Sequence, residues 1–168
     1  MANYEFAVAT KNTFKVKNPE EVVNVFQGLG FEETYKDNDG TIFIGGYDQM
    51  LNDDMVVYVD IKTNKAVAID RGFEELFSVD SGDEVDNTED FEDETKYKAM
   101  DSFEYLQEQL LDGEVASIVE AGSEKLVFVG ACFVVVTKKG IEWRNTSQMI
   151  DEIAKEMLEN NNKKEVNS

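Results

Sequence analysis

Between Asp70 and Glu114 the chain carries seventeen Asp and Glu residues against three basic ones, Arg71, Lys96 and Lys98. Carboxylates at this density can hold cations, exchange protons, or present an array of fixed negative charge to a basic partner. Nine of them fall between Asp80 and Glu94: Asp80, Asp83, Glu84, Asp86, Glu89, Asp90, Glu92, Asp93 and Glu94. Phe91 stands alone among them as an aromatic. Farther on, Asp101, Glu104, Glu108 and Asp112 recur at steps of three and four, which on a helix gathers them into a sector of about 80°. Such a row climbs about 4.5–6 Å per step, and no lysine falls within it. Phe103, Leu106 and Leu110 take the opposite side. These thirteen acids and Phe91 are the candidate partner-binding residues, with Tyr97, Phe103 and Tyr105 as further aromatics among the acids.

Residue types exclude much other chemistry. With no histidine, Ser-His-Asp and Cys-His nucleophile systems and most zinc sites are ruled out. The single cysteine, Cys132, can form no internal disulfide and reads as a small apolar core residue in the strand-like run Val127–Val136. Gly28-Leu29-Gly30 is too short to cradle a phosphate and sits where a helix end favours glycine. Asp37-Asn38-Asp39-Gly40 resembles the middle of a calcium loop. Aligning Gly40 with that loop's glycine puts Tyr35 and Gly46 where two carboxylate ligands belong, so it reads as a hairpin turn. Asp80, Asp83, Glu84 and Asp86 fit no defined loop. With 36 acids in 168 residues, close carboxylate pairs arise by chance and carry no catalytic signal. The expectation is a non-enzyme with no catalytic residue, metal or cofactor.

The elements that position the acids follow from periodicity. Tyr4, Phe6 and Val8 alternate as an opening strand that Phe14 and Val16 continue. Asn18-Pro19-Glu20-Glu21 starts a helix, with Asn18 as cap and Val22, Val25, Phe26 and Leu29 on one face, ended by Gly28 and Gly30. Strands are expected at 31–36, 41–46, 55–61 and 66–69, and a helical turn around Phe73, Leu76 and Phe77. The stretch 78–95 reads as a mobile acidic loop. A helix over 101–111, capped by Asp101 or Ser102, leads to strands at 115–120, 125–130, 131–138 and 141–144. Asn145 or Thr146 then caps a helix carrying Ile150, Ile153, Ala154, Met157 and Leu158 at helical spacing, before a polar tail over 160–168.

This pattern predicts one α+β domain over 1–168, with antiparallel sheet and about three helices. It leaves open whether 1–77 and 96–159 are two copies of one unit. At 42% apolar residues and 18 aromatics, the chain has material for a core. A net charge of −20 disfavours direct binding to nucleic acid or anionic membranes, both of which need Lys and Arg, and points to a basic partner. No run reaches the roughly 20 apolar residues needed to cross a bilayer. Met1 opens straight into the alternating segment without a leader pattern, so the expected location is the cytoplasm.

The segments Asp112-Gly113-Glu114-Val115 and Glu120-Ala121-Gly122-Ser123-Glu124-Lys125, the strands to Lys138 and the closing helix resemble small acidic proteins of phages, plasmids and conjugative elements of Gram-positive bacteria. Met1-Ala2-Asn3-Tyr4 and Phe14-Lys15-Val16-Lys17 before a helix are similar too. The resemblance covers about half the chain and transfers no site residue. It implies an inhibitor of a host defence nuclease, of anti-restriction or anti-CRISPR type, acting as a DNA mimic in a basic nucleic-acid channel. An immunity protein against a basic nuclease toxin and an acidic accessory module of a mobile element are the alternatives. Oligomeric state is not legible.

Overall fold

The computed structural model describes residues 4–48, 51, 54–72, 75–85, 91–124 and 128–166, with side chains for all of these but 4–6, 123, 124, 128–130 and 158–166. Helix α1 spans Pro19–Gly28, with proline in its first turn and Glu20 and Glu21 at its positive end. Asn18 does not cap it through its side chain. Instead Asn18 Nδ2 donates to Gln109 Oε1 at 3.3 Å, tying the start of α1 to the end of a later helix. The C-terminus closes as a Schellman turn: Phe31 N donates to Phe26 O and Gly30 N to Gln27 O, at 2.9 and 3.0 Å. Gly30 has φ +100°, a conformation that a Cβ would strain. This turn brings the Phe26 and Phe31 rings to 5.8 Å. It also uses residues expected to start a strand, so the next strand is only Tyr35–Lys36, not 31–36.

Among the described residues the strands form three antiparallel sheets. Strand β1 (Tyr4–Thr10) lies inside a five-stranded sheet, between β5 (Gly45–Tyr47) and β10 (Val115–Glu124), with β11 (Phe128–Thr137) and β12 (Gly140–Asn145) beyond. Strand β11 is continuous where two strands were expected. A small sheet orders β2 (Phe14–Lys15), β4 (Thr41–Phe43) and β3 (Tyr35–Lys36). Its β3–β4 hairpin turns at Asp37, whose carboxylate accepts from Asp39 N and Thr41 N, both at 2.9 Å. The Thr41 hydroxyl, which donates to Asp37 Oδ2 at 2.6 Å, and then those backbone bonds hold the Asp37 carboxyl below its ordinary pKa and build the hairpin turn expected there.

The third sheet orders β8 (Leu76–Ser78), β7 (Lys65–Asp70), β6 (Val56–Asp60) and β9 (Tyr97–Asp101). Leu76 and Phe77 are therefore strand, paired with Asp70 and Ile69, and not a helical turn, while Phe73 lies outside the described residues. A cross-strand bond partner outweighed their helix-like spacing. The segments 1–77 and 96–159 lend each other strands: β1 pairs with β10, and β6 with β9. The chain is α+β, and a core cluster of described residues takes side chains from both segments, Val57 and Val134 among them.

Helix α2 (Ser102–Gln109) follows β9 directly, capped by Asp101, whose Oδ1 accepts from Phe103 N and Glu104 N at 2.7 and 3.3 Å. Its apolar side buries Phe103, Tyr105 and Leu106. The core runs through rings: Phe26 lies 6.4 Å from Phe103, and Phe103 meets Trp143 of β12 edge-on at 5.2 Å. Tyr105, 1% exposed, donates its hydroxyl to Glu21 Oε1 at 2.8 Å, bonding α2 to α1. Burial, with Glu21 beside it, pushes the Tyr105 phenol far above its ordinary pKa.

Helix α3 (Thr146–Val166) starts at a reciprocal capping box: Gln148 N donates to Asn145 Oδ1 and Asn145 N to Gln148 Oε1, at 2.9 and 3.2 Å. Its periodic apolar stripe is not core. Ile150, Ile153 and Met157 are 65%, 53% and 62% exposed. The Leu158 side chain lies outside those described. Among the described residues no helix is long and apolar enough to cross a membrane.

The contrast between α2 and α3 can be measured as stability. Tyr105→Phe removes the donor from a half-buried carboxylate and should lower unfolding free energy by about 2 kcal/mol in urea titration. Ile153→Gln changes a side chain that buries little, and should move it by no more than about 0.5 kcal/mol. Equal losses at the two sites would contradict this packing.

Candidate functional site

The acidic segments are more tightly built than a loop over 78–95 would be. After β8 the chain turns tightly, with Gly82 N on Ser78 O and Ser78 N on Asp83 O, both at 2.9 Å. It then returns antiparallel: Glu84 bridges Phe77, and Val85 N reaches Leu76 O at 2.8 Å. Asp80, Asp83 and Glu84 are exposed on this return, beside the β8 edge of the sheet. Asp86, Glu89 and Asp90 lie outside the described residues.

From Phe91 the chain enters β9 through a turn organised by Asp93. Thr95 donates its N–H and its hydroxyl to Asp93 Oδ1 at 3.0 and 2.5 Å, and Lys96 Nζ pairs with Oδ2 at 3.0 Å. Lys96 N and Tyr97 N bond Asp93 O at 2.8 and 2.9 Å. The Thr95 bonds, then Lys96, hold the Asp93 carboxyl down at about 2. Asp93 is therefore a turn-builder, whereas its neighbours Glu92 and Glu94 are exposed.

Phe91 does not stand alone in space. Its ring lies 5.3 Å from that of Tyr58 on β6 and 5.0 Å from that of Tyr97 on β9, tilted 42° and 52°. Tyr58 pairs with Ala99 across β6 and β9, so Tyr58, Tyr97 and Ala99 share the sheet face opposite buried Val57, Val59 and Met100. Phe91, Glu92 and Glu94 join them around a cavity of about 330 Å³. Partial burial pushes the Tyr58 phenol above its ordinary pKa, with Asp70 and Glu92 adding to the rise. The contribution of Tyr58 and Tyr97 to one site was hidden because 33 residues separate Tyr58 from Phe91, and only strand pairing closes that gap.

The α2 carboxylates do not form the uninterrupted row expected. The helix ends at Gln109, and Leu110 is extended at φ −55°, ψ 142°, so exposed Asp112 is off the helix. Asp101 is half-buried in its capping role. Glu108 pairs with Lys98 of β9 at 2.7 Å, so a lysine does neutralise the row, from a neighbouring strand. Glu104 remains exposed. Of the aromatics, Phe103 and Tyr105 are core, which removes Tyr105 as a surface anchor.

Among the described residues, Asp80, Asp83, Glu84, Glu92, Glu94 and Glu104 form no salt bridge, while the ion pairs of Lys96 and Lys98 involve Asp93 and Glu108. The described residues contain no group of three His, Cys, Asp or Glu set to hold a metal ion. Cys132 is half-buried on β11, where burial and then Glu120 push its thiol up, away from nucleophilic use at neutral pH. No family model, curated protein or solved structure matches the chain.

Because the folded Asp93 carboxyl is held below its unfolded value of about 4, its contribution is complete above that pH and is lost as pH falls toward 2. A carbon-detected carboxyl titration should give Asp93 a midpoint near 2. Asp93→Asn, keeping the shape but losing the charge, should release the Lys96 pairing and shift the Phe91 and Tyr97 ring resonances. A midpoint near 4 with unmoved rings would mean that the turn is not held this way.

Proposed function

We propose that this protein is a non-enzymatic inhibitor that occupies the basic nucleic-acid channel of a bacterial defence nuclease, of the restriction or CRISPR kind. The reading is carried by one observation: the exposed carboxylates of Asp80, Asp83, Glu84, Glu92, Glu94 and Glu104 have no salt-bridge partner among the described residues, on a chain of net charge −20. Duplex DNA offers a negative charge about every 1.7 Å of axis, and a nuclease channel is lined with Lys and Arg to match. Carboxylates fixed on strands, turns and a helix offer that channel a preformed anion array, with association steered by charge and weakened by salt. The resemblance to small acidic proteins of mobile elements supports the same reading. Such an inhibitor acts in the cytoplasm, where the defence nuclease meets invading DNA.

The structure changes which residues test this. Asp93, Asp101 and Glu108 also hold the fold locally, so reversing them would confuse binding with folding. The combined Glu92→Lys, Glu94→Lys and Glu104→Lys variant touches exposed acids only. The assay is DNA cleavage by a nuclease captured from bacterial lysate on the immobilised protein and released by excess duplex DNA. Wild-type protein should inhibit cleavage, more weakly as salt rises, and the triple variant should lose at least about tenfold in potency with an unchanged circular dichroism spectrum. Undiminished inhibition by the folded variant would sink the mimicry mechanism.

A further inference from the structure

We propose that the Tyr58–Phe91–Tyr97 cavity is a receptor for an arginine side chain of the partner protein, with Glu92 and Glu94 as its anionic rim. The inference rests on the reading of the acidic surface as a protein-binding face, and adds where on it a cation is recognised.

Three observations combine. The first is ring placement: Phe91 stands 5.3 Å from Tyr58 and 5.0 Å from Tyr97, all three rings half-buried and differently inclined. Rings this close pack on one another and form the wall of the cavity, so a flat cation entering it lies against their exposed surfaces, whose negative quadrupole attracts it. The second is the pair of exposed carboxylates on the same cavity, with no positively charged residue among its described lining residues. Of the basic residues in the acidic stretch, Lys96 pairs with Asp93, Lys98 with Glu108, and Arg71 lies over the Phe77 ring at 4.1 Å. The third is size, since about 330 Å³ of opening suits a side chain rather than an ion.

The combination selects among cations. A guanidinium is planar, stacks on rings, is weakly hydrated, and carries five N–H donors for the two carboxylates. A lysine ammonium holds its water more tightly and cannot stack. A quaternary ammonium has no donor for Glu92 or Glu94 to accept. Charge complementarity also favours a basic protein as the source, because the cavity opens within the acidic region that would meet it.

The test is an NMR titration of the folded, full-length protein at low salt, following the Tyr58, Phe91 and Tyr97 ring resonances. The probes are N-acetyl-arginine amide, its neutral isostere N-acetyl-citrulline amide, and tetramethylammonium. Arginine should shift the three rings saturably, with the citrulline probe at least about tenfold weaker. Glu92→Gln with Glu94→Gln, which preserves shape, should weaken arginine about fivefold or more. Phe91→Leu should do so too, its amide spectrum elsewhere serving as the check on folding. Equal binding of citrulline, tighter binding of tetramethylammonium, or shifts spread over the acidic surface without saturation at the rings would overturn the assignment. If arginine binds here while nuclease inhibition is absent, the cavity stands and the inhibitor reading falls. If Phe91→Leu inhibits as well as the wild type, the cavity assignment falls and the inhibitor reading survives.

Discussion

The structure depends on one apolar junction, the chain of rings Phe31, Phe26, Phe103 and Trp143. Phe26 and Phe31 close α1, Phe103 opens the buried side of α2, and Trp143 comes from the far edge of the five-stranded sheet. Aromatics of this kind bury about 150–250 Å² each, at roughly 25 cal/mol per Å². The rings belong to a core cluster that draws side chains from all three sheets, Ile42, Val57 and Val134 among them. A net charge of −20 opposes compaction at every pH where the acids are ionised. The core tolerates it because the charge faces outward. Glu21, which ties Tyr105 and Ala66 N to α1, is an inward-reaching carboxylate and is met by donors.

Around that junction the acids divide by role. Asp37, Asp60 and Asp93 fold back onto neighbouring backbone N–H and Thr hydroxyl groups, and each is held below its ordinary pKa by those bonds. Asp101 caps α2. Such acids build turns and helix ends, and their charge is partly spoken for. The acids without such duties project from the scaffold that the others hold in place. Anion mimicry needs that division, because repelling carboxylates keep a fixed spacing only when the backbone beneath them is held by something else.

Aromatic and anionic groups come together over the outer face of β6 and β9. Pure charge gives steering and salt sensitivity but little geometric selectivity. Rings beside carboxylates add a directional element that a mobile acidic loop could not. The proposed inhibitor surface and the proposed arginine receptor are thus two scales of one design: a broad field to attract a basic channel, and a shaped cavity to register it.

How much of this could be read along the chain depends on the range of each interaction. Local signals sufficed for α1, the Asp101 cap, the hairpin at Asp37–Gly40 and most strands, because caps, turns and alternation are set within a few residues. Composition alone determined the acidic character and excluded histidine chemistry. Everything that required a distant partner was settled by tertiary structure. Periodicity marked Ile150, Ile153 and Met157 as an apolar face, yet nothing local could say that no sheet would cover it. Helical spacing aligned Asp101, Glu104 and Glu108, but pairing of Lys98 with Glu108 needed β9 beside α2. Leu76 and Phe77 became strand because β7 offered them hydrogen bonds. Phe91 found Tyr58 and Tyr97 only through the register of β6 on β9. Side-chain type and local backbone preference are properties of a residue, whereas strand pairing and burial are properties of the whole core, in which every strand competes for the same few partners.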